Sequence, residues 1–423
     1  MPGYHGQMST QLPPRMGRRI KPISVEEALA MVLDAIQPMP VIERSIELAD
    51  GLVLAEDVRS PIALPAFRNS AMDGFALRAS DSIGASSVEP KSFSVAGSTA
   101  AGESAWGAPL DARAAVRVMT GAVLPDQADA VVRFEDVEEL GDRVSISGEI
   151  SAGTNIRNVG SDLRLGDVAV GSGSLISWAS GALLTSIGVN SVRVHSQPRV
   201  AVVSTGDELR ADRYQAGAET IPDSNGPMLL ALARDCGADV IAAGIARDSR
   251  DSLERALVAA ISADVIVISG GVSAGDRDAV RDLLIERNAI VLSQVRMKPG
   301  RPFTFAILDG KPVFALPGNP FAAAATFLQF VKPALDRLRG RRIEAVEIRW
   351  AEIAEPVANS GGRRAIVPVR LRPRIAALPV AERISQGVAG LALLARADAL
   401  LVIPESIAVA EAGSVLEFWP LPR

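Results

Sequence analysis

The sequence predicts a multidomain chain in which a doubly wound parallel α/β domain is flanked by β-rich parts. Three observations lead there. The length of 423 residues exceeds what one hydrophobic core holds, because cores stop growing near ~250–300 residues, so about two to four domains are expected. From Pro198 onward, apolar strand-like runs alternate with helical runs. On either side of that region the runs are short and punctuated by Gly, Pro, Asp and Ser, as strands separated by turns are.

Taken in order, residues 1–20, MPGYHGQMSTQLPPRMGRRI, are polar and rich in Pro and Gly. They carry no apolar core segment and read as a disordered tail rather than a signal peptide. SVEEALAMVLDAI, Ser24 to Ile36, pairs an N-cap serine with Glu27 three residues on and spaces its apolar residues as a helix does. From about Glu43 to Gln197 the texture is predominantly β, with runs such as RVSISG. Then RVAVVSTGDEL (strand and loop), GPMLLALARDCG (helix), ADVIAAGIARD (strand), DSLERALVAAIS (helix), ADVIVISGG (strand) and RDAVRDLLIERN (helix) alternate, and VFALPGNP with FAAAATFLQFVKPALDRLRG repeats the order. Such alternation implies right-handed βαβ units and an open parallel sheet with helices on both faces. Beyond about Arg341, AVEIRWAEIAEP, RRAIVPVRLRP and ALLVIPES return to β and suggest a small terminal sheet or barrel.

Composition narrows the function. A net charge of −5 with 22% charged residues argues against nucleic acid or an anionic membrane as partner. No apolar run reaches the ~18 residues a membrane helix needs, and the cytoplasm is the expected compartment. A single cysteine, Cys236, and two histidines, His5 and His195, leave no disulfide framework and no Cys/His metal cluster. A metal here would be held by oxygens, which suggests magnesium.

In an open α/β sheet, ligands bind beyond the carboxyl ends of the strands. Four successive strand ends share one chemical character: STGDEL (Ser204 to Leu209), GIARD with Asp248, SGGVSAGDRD (Ser269 to Asp278) and LPGNP (Leu316 to Pro320). Glycines let backbone N–H groups approach a phosphate, and a helix N-terminus behind them adds partial positive charge. Glu208, Asp248, Asp276 and Asp278 stand where a divalent cation could bridge them to phosphate oxygens. In MKPGRP, Lys298 and Arg301 flank a Pro-Gly turn and suit an oxyanion. Taken singly each feature is also turn and N-cap chemistry; shared by four strand ends, the character points to a phosphate-bearing ligand. In the β-rich half, RNSAMDGFAL places Asp73 beside a glycine in a short loop, which on its own reads as a tight turn, and RVMTGAVLP offers Thr120 in a similar setting.

Together the motifs NSAMDGFA, MTGAVLP, GTNIR with GSDL and GD, STGDEL, DSNGPML, SGGVSAGDRD, MKPGRPFTF and LPGNP occur in the order found in the molybdopterin molybdenumtransferase family. These are the MoeA proteins of bacteria and the E domain of gephyrin-type proteins, and the chain resembles them from about Ile20 to its C-terminus. The resemblance implies insertion of molybdate into adenylylated molybdopterin with release of AMP. It implies an L-shaped, four-domain subunit that forms a homodimer: residues 21–60 and 148–196 as an elongated domain, 61–147 as an inserted β-rich domain, 197–340 as a MogA-like α/β domain and 341–423 as a β-barrel. Carried over motif by motif, Asp73, Thr120, Glu208, Asp248, Asp278, Lys298 and Arg301 match catalytic positions. Thr205, Gly206, Asp223, Asn225, Gly270, Gly271, Ser273, Pro317, Gly318, Asn319 and Arg363 match substrate-binding ones, with Arg364 a rival to Arg363. Asp248 and Asp278 would hold Mg2+, and Asp73 and Thr120 would reach the cleft of the partner subunit. Molybdopterin adenylyltransferase and other molybdenum-cofactor proteins are the implied partners. Within SGGVSAGDRD, Asp276 reads as the N-cap of the next helix.

The chain departs from the family pattern in places. Arg301 stands for a lysine and Ser161 for a glutamate, while Ala365 and Pro368 occupy positions where glutamate and arginine or histidine are expected. Two other readings therefore accompany the first: a diverged copy for another oxyanion such as tungstate, and a non-catalytic gephyrin-like scaffold.

Overall fold

The computed structural model describes residues 21–103, 106–211, 219–272, 279–342, 349–359, 361–384 and 390–421. The tail, Ser273, Asp276 and Asp278 lie outside the described residues. The chain divides into two compact units: Val41–Val194, and a second made of the segment up to Pro40 with His195 onward.

In the first unit, six strands form a mixed sheet in the order Ala130–Arg133, Gly74–Leu77, Ala114–Val118, Lys91–Thr99, Arg143–Ile146, Val137–Leu140. Side chains alternate across a strand. Phe75 and Leu77 therefore join a cluster with Phe93 and Val144 on one face, and Ala76 joins Val116 and Leu124 on the other. A smaller core around Leu54, Ile176, Leu184 and Val194 underlies the rest of the unit. It includes a helix, Trp178–Ser186, in a stretch that reads as β from sequence. The helix is closed by a reciprocal Ser177–Ser180 capping box, which lacks the usual Glu or Gln at the fourth position, and only Leu184 of it is buried.

In the second unit, six strands run in the order Asp239–Ala246, Arg199–Thr205, Val265–Ser269, Lys311–Leu316, Thr304–Leu308, Ile290–Ser293. The first four are mutually parallel, as the strand–helix alternation predicts. Thr304–Leu308 runs antiparallel to Lys311–Leu316. The link is Asp309–Gly310, both at positive φ (50° and 79°), the geometry of a two-residue hairpin turn that matches strand twist. Two cores sandwich the sheet. Val200, Val202, Val265 and Val267 face one that also takes the helices Val25–Asp34, Asn225–Asp235 and the Pro320–Leu338 run. Ala201, Val203, Ile266 and Ile268 face the other, beneath helices Arg250–Ala259 and Ala279–Glu286.

The first helix starts as its sequence predicts, with the Ser24 hydroxyl accepting from the Glu27 N–H at 3.1 Å. It packs on the α/β core through Val25, Ala28 and Val32.

Five strands then close a barrel: Arg364–Arg372, Val380–Arg383, Arg349–Ile353, Val415–Pro420 and Ala399–Ile403, the last pairing back to the first. Met297–Lys298 adds to it in parallel, Met297 opposite Arg364 and Lys298 opposite Ala365. Closure leaves the barrel no free edge. No helix among the described residues is long and apolar enough to cross a membrane.

Phe303 stacks on Phe330 at 4.2 Å with planes 10° apart, both fully buried. Phe303→Ala is expected to cost about 3–5 kcal/mol, read as a lower urea midpoint for the second unit's transition.

Candidate functional site

The connection leaving Arg199–Thr205 goes to Asp239–Ala246 on one side, and the connection leaving Val265–Ser269 goes to Ile290–Ser293 at the far edge on the other. These two neighbours thus flank the topological switch point, where the open crevice of such a sheet lies.

Its walls are backbone. Gly270 has φ +98°, and a Cβ there would stand 2.5 Å from the Thr205 carbonyl oxygen and 2.6 Å from its hydroxyl. Gly206 has φ +151°, with the Glu208 carboxylate folded back to 2.6 Å from where its Cβ would be. Gly271, at φ +64°, meets Val280. The Asn225 amide donates to the Ser269 hydroxyl at 2.7 Å and to the Gly318 carbonyl at 2.8 Å. It thereby joins the start of helix Asn225–Asp235 to two strand ends. The Asn225 Oδ1 and the Ser204 hydroxyl are buried without a hydrogen-bond partner among the described residues. Asp223 accepts from the Gly226 N–H at 3.0 Å and Asn319 from the Ala322 N–H at 3.1 Å, so both side chains cap helices. Pro317 is buried, and Gly318 is exposed at the mouth.

One rim is acidic. Asp207 and Asp248 are stitched reciprocally: the Asp248 N–H donates to the Asp207 carboxylate at 3.1 Å, and the Asp207 N–H to the Asp248 carboxylate at 3.4 Å. The Arg247 guanidinium donates to the Asp207 carbonyl at 2.5 Å. Burial pushes the Asp248 carboxyl above the usual aspartate range, and the charges of Asp207 and Glu208 push it the same way against the Asp207 N–H bond. Asp207 and Arg247 are the residues that sequence reasoning passed over. The available signal was the Asp between Gly206 and Glu208 in STGDEL. Among the described residues no group of three or more His, Cys, Asp or Glu side chains converges as a metal site.

The basic groups come from the barrel side. Lys298 lies on the strand paired with Arg364–Arg372, and the Gly300 turn packs on Thr326, where a Cβ would meet Cγ2 at 2.6 Å. The Arg301 guanidinium reaches Gln294 at 3.5 Å. The Asn359 amide holds the Arg363 carbonyl at 2.9 Å. Arg364 is engaged by Gln329 at 2.9 Å and by Glu26.

In the other unit the structure brings together two residues 47 positions apart. The Asp73 carboxylate accepts from the Thr120 N–H at 2.6 Å and from its hydroxyl at 2.8 Å. Those bonds, the amide first, hold the Asp73 carboxyl below the usual range. The turn setting is real, and it presents a carboxylate locked to a hydroxyl.

Comparison with known proteins agrees with this fold. Residues 23–188 match the model of the MoeA N-terminal region (domain I and II), 201–337 that of a probable molybdopterin binding domain, and 351–421 that of the MoeA C-terminal region (domain IV). The molybdopterin molybdenumtransferase of Staphylococcus aureus (strain COL) is 38% identical over 324 residues, 75% of this chain and 76% of that one. Molybdopterin molybdenumtransferase 2 of Mycobacterium tuberculosis (strain H37Rv) is 34% identical over 409 residues, 94% of this chain and 99% of that one. A crystal structure of the molybdopterin biosynthesis moeA protein from Pyrococcus horikoshii OT3 superposes with a TM-score of 0.81 at 26% identity, covering 95% of this chain and 100% of that one.

Two expectations test the site. Gly270→Ala is expected to destabilise by about 1–3 kcal/mol, whereas Gly318→Ala, whose Cβ would meet only the Gly270 Cα at an ordinary 3.7 Å, should change stability by under ~0.5 kcal/mol; thermal unfolding of both variants decides. Thr120→Val removes the hydroxyl donor and keeps the amide, so the Asp73 pKa should rise partway toward its ordinary value by carboxyl 13C NMR. A depressed folded pKa gives stability that is present above the unfolded value and lost as pH falls through the folded one; acid unfolding of the variant should therefore begin at higher pH.

Proposed function

Because the chain belongs to the molybdopterin molybdenumtransferase family, we propose that it works in molybdenum cofactor biosynthesis, inserting molybdate into adenylylated molybdopterin and releasing AMP. The observation that carries the reading is the glycine-walled crevice at the switch point, with an acidic rim at Asp207, Glu208 and Asp248. Backbone at Thr205, Gly206, Gly270, Gly271 and Gly318 admits a pyrophosphate where side chains would exclude it. The N-termini of helices Asn225–Asp235 and Pro320–Thr326 add partial positive charge there.

The rim suits magnesium carried in with those phosphates. Asp207 and Asp248 are hard oxygen donors, and the Asp248 carboxyl is raised first by burial and then by the charges of Asp207 and Glu208. Two carboxylates fit an ion that keeps most of its waters and its phosphate ligands. Asp248, with Asp278 as its partner from the sequence motif, would hold the ion, and a cation bound there neutralises charge developing on the departing phosphate oxygens. Lys298, Arg301 and Arg363 supply positive charge for the molybdate dianion and orient it by guanidinium and ammonium contacts. Asp73 and Thr120 present an ionised carboxylate and a hydroxyl, and we assign them to the cleft of a second copy in a homodimer. The adenylylated substrate would come from molybdopterin adenylyltransferase.

The test is a reaction of the purified protein with adenylylated molybdopterin, magnesium and molybdate, following AMP and the reconstitution of an apo-molybdoenzyme. AMP release that requires molybdate, together with reconstitution, is expected. AMP release indifferent to molybdate would favour another oxyanion, and absence of nucleotide binding would overturn the reading. Asp248→Asn should lose at least about tenfold in magnesium-dependent AMP release while its unfolding midpoint in magnesium-free buffer holds or rises, since the charge removed is disfavoured by burial and by the neighbouring Asp207 and Glu208.

A further inference from the structure

A pocket of about 930 Å3 lies between the α/β body and the barrel and is lined by none of the residues placed in the reaction. Its floor is apolar for a structural reason. Met228 and Leu232 stand one turn apart on helix Asn225–Asp235, as Ala324 and Leu328 do on the Pro320–Leu338 run, and both pairs face away from the sheet toward the barrel. Leu394, from the barrel helix Gly390–Arg396, completes the floor, so partly buried apolar groups from three helices meet without filling the space between them.

The rim carries charge of one sign in excess. Arg372 pairs with Glu382 at 2.7 Å, and the Asp398 carboxylate accepts from the Leu371 N–H at 2.9 Å. Arg370 and Arg396 line the same pocket, both exposed, and make no ion pair among the described residues. An apolar floor beneath three guanidinium groups, Arg370, Arg372 and Arg396, set against the two carboxylates of Glu382 and Asp398, recognises a molecule with an apolar body and an anionic head. The head finds two planar donors suited to carboxylate, sulfonate or phosphate, and the volume falls within the roughly 300–1,000 Å3 of small-molecule sites.

We infer that this pocket binds a small amphipathic organic anion, separately from the strand-end site. The assignment does not depend on the proposed reaction, because no group is shared with it.

The probe is anilinonaphthalene sulfonate, titrated into the full-length protein by fluorescence, with uncharged phenylnaphthylamine as its neutral counterpart. Saturable binding of one sulfonate per chain is expected, at least about tenfold tighter than the neutral compound. R370Q/R396Q should weaken the sulfonate at least about tenfold and leave the neutral compound unchanged, while Leu394→Glu, on a partly exposed position, should weaken both. Hydrogen exchange should show protection in Asn225–Asp235 and Gly390–Arg396 when the sulfonate is bound. Circular dichroism and the unfolding midpoint establish that each variant is folded. Equal binding of the two compounds to the parent protein, or sulfonate affinity unaltered in folded R370Q/R396Q, overturns the assignment.

Discussion

The crevice at the switch point depends on one amide. Asn225 donates both of its N–H groups, one to the Ser269 hydroxyl and one to the Gly318 carbonyl. A carbonyl can only accept, so the amide cannot be flipped, and Oδ1 is buried without a partner among the described residues. A buried polar atom left unpaired costs about 1–3 kcal/mol, and with Ser204 the strand ends carry two such atoms. That cost is borne where three segments distant in sequence converge. With those segments locked, Gly270 runs against Thr205 and Gly318 against Gly270, and the cradle is made of backbone because no space is left for side chains.

Topology puts the acidic and the basic groups on separate elements. The acidic rim sits on connections that leave the parallel strands, where Asp207 and Asp248 satisfy each other's N–H groups and so cannot move apart to relieve their repulsion. The basic groups arrive by another route. Met297–Lys298 leaves the α/β body to pair with the barrel strand that begins beside Arg363. In the proposed reaction the two rims have opposite tasks, one toward a cation and phosphate, the other toward an oxyanion. Holding them on separate elements keeps carboxylates and cations from neutralising one another.

Much of this was legible in the chain. Apolar runs ending in Gly, Ser and Asp marked the strand ends, because a buried parallel strand and a phosphate-approaching loop each demand a narrow set of residues. The cap at Ser24 was legible for the same reason. The Asp309–Gly310 hairpin carried a strong local signal, overridden by the expectation of a uniformly parallel sheet. Helix Trp178–Ser186 gave little signal, since its capping box uses serine and its apolar residues form no stripe. Apart from the family resemblance, Asp73 and Thr120 read only as turn residues because their pairing across 47 positions is set by the register of Gly74 opposite Val118, and register is not written locally. Asp223 and Asn319 match binding motifs, yet their side chains are engaged in capping, a distinction that composition does not reveal.

The barrel strand Arg364–Arg372 bears on two ambiguities of the sequence. Arg363 and Arg364 are adjacent and chemically identical, but the Arg364 guanidinium is held by Glu26 and by Gln329, a buried side chain set in the widened turn Phe327–Val331 of the helix that starts at Asn319. Arg364 thus ties the barrel to the body, and Arg363 is the one we assign to the cleft in the proposed reaction. Pro368 in the same strand lacks a ladder donor. The Val369 carbonyl accepts from the Asp398 N–H at 2.8 Å on the Ala399–Ile403 side. Strand alternation then turns the Pro368 nitrogen to the opposite side, where pairing with Val380–Arg383 ends at Val369 opposite Arg383. The proline stands one residue beyond the last bond it could have broken, so the barrel closes around it. Its presence bears on which groups line the barrel and leaves intact the strand pairing that holds Lys298 opposite Ala365.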